Sequence, residues 1–259
     1  MKIEIILVDN NSPDSALFTK TVIDNRDLID ISIITQPKLS TAFSLSSARN
    51  KGATLARGTW LFFTDAGCML DPNFIVHFDK IKHNHKKKYI YTGERIFVHI
   101  KKDMEKVKFD QVYFKSLKRV SSASNYHKII DKRFPWLENI GNEKHPWNFF
   151  HGCFMLVPRE LYMKVNGSDL RFDGHWGYED IDLIHTIITR AGGIPQYDRN
   201  MKIYHQEFDE DINKLSNSEN GHRMNKKNNP NFLLICNKIE GFKEFKVQHF
   251  QDLGLDVDI

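Results

Sequence analysis

Residues 3–100 alternate short apolar runs with segments of helical period, and this alternation limits the possible folds more than any other feature. IEIILVDN (3–10), IDISIITQ (29–36), TWLFFTDAG (59–67) and YIYTGERIFVHI (89–100) are strand-like. Between them lie residues 14–28, LSSARNKGATLARG (45–58), which closes at Gly58, and PNFIVHFDKIKHNH (72–85), each readable as a helix. The order β-α-β-α-β-α-β predicts an α/β fold, a mostly parallel sheet with helices on its faces. TWLFFTDAG is apolar enough to be a strand buried on both faces. A chain of 259 residues can enclose such a core, and its 19 Phe supply bulky material for it.

Regularity stops after residue 100. Residues 101–150 are basic, aromatic and weakly periodic, and read as an insertion. Regularity returns in HGCFMLVPRELYMKVNG (151–167), a strand followed by a helix. EDIDLIHTIITRAGG (179–193) is an amphipathic helix. Its apolar side is Ile181, Leu183, Ile184, Ile187, Ile188 and Ala191, and Gly192 and Gly193 stop it. MKIYHQE (201–207) reads as a last strand. The expected organisation is one domain in three parts: 1–100, the basic insertion 101–150, and 151–259.

The net charge of +4 is unevenly spread: residues 80–133 hold 16 Lys and Arg against 5 Asp and Glu. Such a segment suits an anionic membrane surface, an acidic polymer or nucleic acid, or it is simply a solvated helix face. Its aromatics (Tyr113, Phe114, Tyr126) form no RNA-binding motif, so nucleic acid is not an expected partner. No apolar run reaches the length of a bilayer, and the N-terminal stretch lacks a signal-peptide cleavage site. Cys68, Cys153 and Cys236 show no C-x-x-C spacing, so free thiols in a reducing cytoplasm are expected. Neither four-ligand zinc spacing nor a G-x-S-x-G turn occurs.

The residues able to carry chemistry cluster at predicted strand ends and at one loop. Asp9 and Asp65 close the first and third strands, and ligands of open α/β sheets bind beyond the carboxyl ends of strands. For Asp9 the plain alternative is an Asx-turn. His205 closes the last strand, on the same predicted rim as Asp65. FDGHWGYEDIDL (172–183) sets Gly174 and Gly177 around an exposed Trp176, then places Glu179 and Asp180 at a helix start. The helix dipole favours acids there, so capping alone is the plain alternative and could be all that Asp182 does. Paired acids beside a Trp and two glycines also suit a general base.

VDNNSPD, SSARNKGATLARGTWLFFTDAG, GCFMLVPRELYMKVNGSDLRFDGHWGYEDIDL and IYHQE occur in the order of the family 2 glycosyltransferases. The chain resembles that family over most of residues 3–207. Its C-terminal half is similar to bacterial chondroitin-type polymerases and to the galactosyltransferase C-terminal domain. The resemblance implies a GT-A fold and transfer of a sugar from a UDP-sugar to a glycan or lipid-linked glycan acceptor, as in polysaccharide biosynthesis. It implies nucleotide binding by Asp9, Asn11, Arg49, Asn50 and Asp65, and acceptor binding by His175, Trp176, Gly177 and Tyr178. Asp180 would be the base, with Glu179 orienting the acceptor or base, or the two roles exchanged. Asp65 and His205 would hold a divalent metal, Mn²⁺ (or Mg²⁺), since an ion such as Mn²⁺ accepts carboxylate and imidazole together. A cytoplasmic enzyme, with the basic segment at the inner membrane face, is the matching location.

Two departures from the family pattern stand out. Gly67 occupies the place where an Asp-x-Asp motif carries its second acid; the similar polypeptide N-acetylgalactosaminyltransferases carry Asp-x-His there. The family's usual first strand and helix would precede the strand that ends in Asp9, so this domain is expected to lack them. Both departures fit an alternative function, a degenerate, non-catalytic domain that binds a glycan or a partner.

Overall fold

The computed structural model describes residues 2–10, 12, 15–36, 43–99, 118–119, 133–207 and 229–252. Asn11 and residues 100–117 and 120–132 of the basic segment lie outside the described residues. The predicted alternation is present. β1 (Glu4–Asp9), α1 (Ser15–Asn25), β2 (Asp30–Thr35), α2 (Leu45–Leu55), β3 (Trp60–Phe63), β4 (Cys68–Leu70), α3 (Phe74–Ile81) and β5 (Tyr89–His99) follow one another. A two-residue strand, β6 (Lys118–Arg119), pairs with β5. Next come α4 (Phe134–Leu137), β7 (Met155–Pro158), α5 (Arg159–Lys164), α6 (Glu179–Thr186), β8 (Ile194–Glu207), α7 (Pro230–Lys238) and α8 (Phe242–Asp252).

The two long ladders are parallel, as the alternation predicts. β1 runs beside β2 from Glu4↔Asp30 to Asp9↔Thr35. β5 runs beside β8 from Tyr89↔Ile194 to His99↔Glu207. The shorter pairings, β3–β7, β5–β7, β4–β8 and β5–β6, are antiparallel. The six-stranded sheet therefore has the order β3-β7-β5-β8-β4 with β6 at its side, and is mixed. Among the described residues, β1 pairs with β2 alone and β3 with β7 alone. β1 is held to the rest through α2 instead. Val8 packs against Gly52, where a Cβ would lie 3.2 Å from Val8 Cγ2. Arg57 spans Glu4 (3.0 Å) and Asp30 (2.5 Å), exposed pairs worth little more than orientation.

Two stretches of β8 flank an irregularity, at which Gly93↔Asp198 is followed by Glu94↔Lys202. Gly93 makes this possible. A Cβ there would lie 2.1 Å from the Met201 carbonyl oxygen and 2.5 Å from the Phe154 ring, so no other residue fits without moving backbone.

Alternation along β7 divides the core between the two sheet faces. Met155 and Val157 face Ala53 of α2, Leu161 and Tyr162 of α5, and Ile181 and Ile184 of α6. Phe154 and Leu156 face Phe74 of α3, Ile203 and Tyr91. Helices thus cover both faces. Residues 133–150 belong to the first core, with Leu137, Ile140, Trp147, Phe149 and Phe150 all buried. So do Phe232, Ile235 and Phe242 of the C-terminal helices. Full burial of a side chain of this size contributes about 1.5–3 kcal/mol. No helix among the described residues is long and apolar enough to cross a membrane.

Candidate active site

The turn after β3 carries Asp65, which is exposed. The turn is pinned at both ends: Cys68 N donates to Asp65 O (3.0 Å) and Gln206 N donates to Gly67 O (2.9 Å). Cys68 lies opposite His205 in the β4–β8 ladder, so the short strand brings the Asp65 turn beside the end of β8. The His205 ring packs on Phe97 at 5.3 Å between centroids. Among the described residues no group of three or more His, Cys, Asp and Glu side chains is arranged to hold a metal.

α2 has no acid in its own first turn. Asp173, from the loop before α6, serves instead. Its carboxylate accepts from Ser46 N (2.9 Å), Ser47 N (3.1 Å) and the Ser47 hydroxyl. A carboxylate at a helix N-terminus satisfies free amides and meets the positive end of the dipole. This cap fixes α2 against the 172–178 loop, and α2 in turn presents Arg49. Arg49 Nη1 donates to Glu179 Oε1 at 2.9 Å, with side chains only 10% and 7% exposed. The guanidinium lies across Gly152, where a Cβ would come within 2.2 Å of Arg49 Nη2.

Gly152 has a second role. Its N–H donates to Asp180 Oδ2 at 2.9 Å, while Asp180 Oδ1 accepts from Ile181 N at 2.8 Å. The charge of Arg49 is felt by Glu179, Asp180 and Asp65 together. Burial pushes the Glu179 carboxyl above the ordinary range, and the adjacent Asp180 adds to this against the pull of Arg49. Burial also raises Asp180, opposed first by Arg49 and then by the two backbone N–H groups. Asp180 is half-buried as a residue, and the burial of its carboxyl makes it more basic.

The remaining predicted residues separate into two groups. Trp176 is 39% exposed and His175 is exposed beside it, on a loop turned by Gly174 (φ 107°) and Gly177 (φ 98°). Tyr178 is different. It has a left-handed backbone (φ 72°), is fully buried, and packs on Phe232 (5.6 Å) and Phe242 (5.8 Å). Its side chain faces the core, not an acceptor. Asn50 is likewise engaged within the fold: Nδ2 donates to Ser168 O (2.8 Å), and Oδ1 accepts from Tyr162 Oη (2.6 Å) and Ser168 N (2.8 Å). Asp9 is 3% exposed and accepts from Ser12 N, three residues on, at 2.8 Å, one residue further than in an Asx-turn. That bond, with Ser15 nearby, holds its carboxyl below the usual range. Asp182 forms an ion pair with Lys238 of α7 at 2.6 Å.

Sequence reasoning missed Asp173, Gly152 and the residues of α7. Asp173 stood inside the quoted loop, but a cap reaching across 127 residues leaves no local pattern. The start of α7 is readable, since Asn229–Pro230 is a cap residue followed by Pro at the first helical position.

A sequence model of the glycosyltransferase-like family 2 matches residues 1–207. The chain belongs to that family. Two solved structures share its fold. One is described as GalNAc-T7 with UDP, GalNAc and Mn²⁺, at a TM-score of 0.50 and 15% identity, covering 80% of this chain. The other is TarS 1–349 from S. aureus, at a TM-score of 0.51 and 12% identity, covering 78% of this chain. The chain spans 38% and 51% of those two proteins. No curated protein sequence matches it. The family 2 chain thus carries the GT-A glycosyltransferase fold.

Proposed function

We propose that the chain transfers a sugar from a UDP-sugar to a glycan or glycolipid acceptor with inversion, using Asp180 as general base. The supporting observation is the Arg49–Glu179–Asp180–Gly152 cluster, where a half-buried carboxylate of raised basicity sits three residues after Gly177 and four after the exposed Trp176. Trp176 would offer a flat apolar face to a sugar ring, with His175 at its rim. The acceptor hydroxyl, facing Asp180 Oδ2, would lose its proton to that oxygen as its own oxygen attacks the anomeric carbon and the bond from that carbon to the diphosphate oxygen breaks, releasing UDP. Glu179, neutralised by Arg49, would hold the local field and orient the acceptor. Asp9, at the end of β1, would meet the base of the nucleotide.

Asp65 and His205 would hold a divalent ion, Mn²⁺ or Mg²⁺. The pinned Asp65 turn beside His205 fits an ion with two protein ligands whose remaining positions are filled by the donor's phosphates and water. Such an ion, when bound, neutralises the diphosphate leaving group. The deciding experiment is a calorimetric titration of UDP with and without Mn²⁺. Saturable binding only with Mn²⁺ is expected, as is UDP release from a UDP-sugar. A flat titration under both conditions would favour the second reading, a glycan-binding domain without transfer, which Gly67 and the absence of a three-ligand group among the described residues support.

Gly67 itself is open to change. A Cβ there meets nothing within 4 Å, and its φ is not left-handed. Gly67→Asp should therefore fold normally and add a ligand beside Asp65. Calorimetry should read a gain in Mn²⁺ affinity of about tenfold, equivalent to ~1.4 kcal/mol. Unchanged affinity would mean that Asp65 is not at a metal site.

A further inference from the structure

The loop carrying Trp176 is held by residues outside the segment that matches the family. Asn231, near the start of α7, is 1% exposed. Its Nδ2 lies 2.9 Å from three loop carbonyl oxygens, those of Phe172, His175 and Gly177. Three acceptors around one nitrogen fix the orientation of the amide, because the oxygen end would repel all of them. Asn229 Nδ2 donates to a fourth, Trp176 O, at 3.3 Å. The two asparagines are themselves joined, with Asn231 N donating to Asn229 Oδ1 at 2.9 Å. On the opposite side of the loop, Gly174 N donates to Phe43 O (2.6 Å) and Asp173 caps α2.

This loop would not keep its shape unaided. Gly174, Gly177 and Tyr178 all have positive φ, and for Tyr178 that costs on the order of 1 kcal/mol. Buried carbonyls left without donors would add to the strain. α7 is in turn tied down by Lys238, which bridges Asp182 (2.6 Å) and Asp169 (2.8 Å).

We propose that Asn231, with Asn229, is a positioning residue that latches the 172–178 loop, so that helix α7 sets where Trp176 stands relative to Asp180. The acceptor-facing half of the site is then completed by a segment beyond residue 207, while the donor-facing half, on β1, α2 and the Asp65 turn, meets the loop through the Asp173 cap on α2. The functional consequence rests on reading Trp176 as the acceptor platform; the latch itself can be measured without any substrate.

The test uses Asn231→Leu, which keeps the number and branching of side-chain heavy atoms and removes the donors, and Asn229→Asp, which keeps the helix cap and replaces the bond to Trp176 O by a repulsion between two oxygens. Acrylamide quenching of Trp176 fluorescence is taken as the difference between each protein and its Trp176→Phe partner. UDP binding with Mn²⁺ is measured alongside by calorimetry. Both variants should raise the Trp176 quenching constant at least twofold, Asn231→Leu more than Asn229→Asp, with UDP affinity within twofold of wild type. An unchanged quenching constant in Asn229→Asp would overturn the latch. So would a loss of UDP affinity matching the gain in quenching, because the effect would then be general loosening. If Asn231→Leu does not fold, Asn229→Asp alone decides. A wild-type protein that binds no UDP would sink the transferase reading and leave the quenching comparison intact.

Discussion

Asp180→Asn should reduce kcat about 10²–10⁴-fold while leaving UDP affinity within a factor of two. General-base catalysis contributes roughly that range, and an amide cannot accept the acceptor's proton at neutral pH. The substitution is nearly isosteric, but an amide has only one acceptor oxygen. Asp180 now accepts from both Gly152 N (2.9 Å) and Ile181 N (2.8 Å), so one of these donors must lose its partner. That costs about 1 kcal/mol of stability, too little to account for the loss of turnover. The pH profile gives the second check. Burial raises the Asp180 carboxyl above the ordinary range. The base works only when ionised, so wild-type kcat/KM should fall with decreasing pH through a value above the usual carboxylate range, and the residual rate of the Asn variant should be flat across that window. Glu179→Gln separates the two acids. If it abolishes the acid limb and Asp180→Asn does not, the roles are exchanged. If Asp180→Asn weakens UDP binding as much as it slows turnover, the carboxylate is structural.

The reach of the sequence can be followed residue by residue. β1, β2, α2 and α3 were legible because apolar period and turn residues coincide there, and Asp65 and Asp180 were legible because both end or begin an element. The first half of β8 was not. Ile194–Asp198 contains Pro195 and leads into Asp198–Arg199–Asn200, which reads as a turn; the irregularity allowed by Gly93 keeps both halves on β5. β4 was not expected, since residues 68–70 fall between the predicted strand 59–67 and helix 72–85, and a three-residue strand has no period of its own. Tyr178 and Asn50 show the same limit at the level of side chains. Each sits in a motif whose neighbours face the site, yet one side chain turns into the Phe232–Phe242 cluster and the other ties α2 to Ser168. Direction of this kind is decided by tertiary packing, which a one-dimensional pattern does not encode. The role of α7 was hidden for a similar reason: Asn231 acts across more than 50 residues, on carbonyls that any sequence would present.

Arg49→Met should lower stability by about 3–5 kcal/mol, the usual cost of removing one partner from a buried ion pair. Met keeps the apolar stem, so little packing is lost. What remains is Glu179 with its side chain 7% exposed and no counter-charge, beside an Asp180 carboxylate that also depended on Arg49. The sign of the pH dependence follows from the same shifts. Both acids already have folded-state values raised above those of the unfolded chain, and Arg49 is the chief influence lowering them. Its removal raises them further. A carboxyl whose folded value is raised binds its proton more tightly when folded, so it loses stability as pH rises from the unfolded value through the folded one. The deficit of Arg49→Met should therefore be smallest near pH 5 and grow toward pH 8, as read by urea unfolding at both. An equal deficit at the two pH values would mean that the loss is packing and not charge. The double variant Arg49→Met/Glu179→Leu should recover most of the stability, because it removes the stranded charge, and should stay inactive, because the field around Asp180 is gone. Recovery of stability without recovery of turnover would separate what the pair does for the fold from what it does for the chemistry.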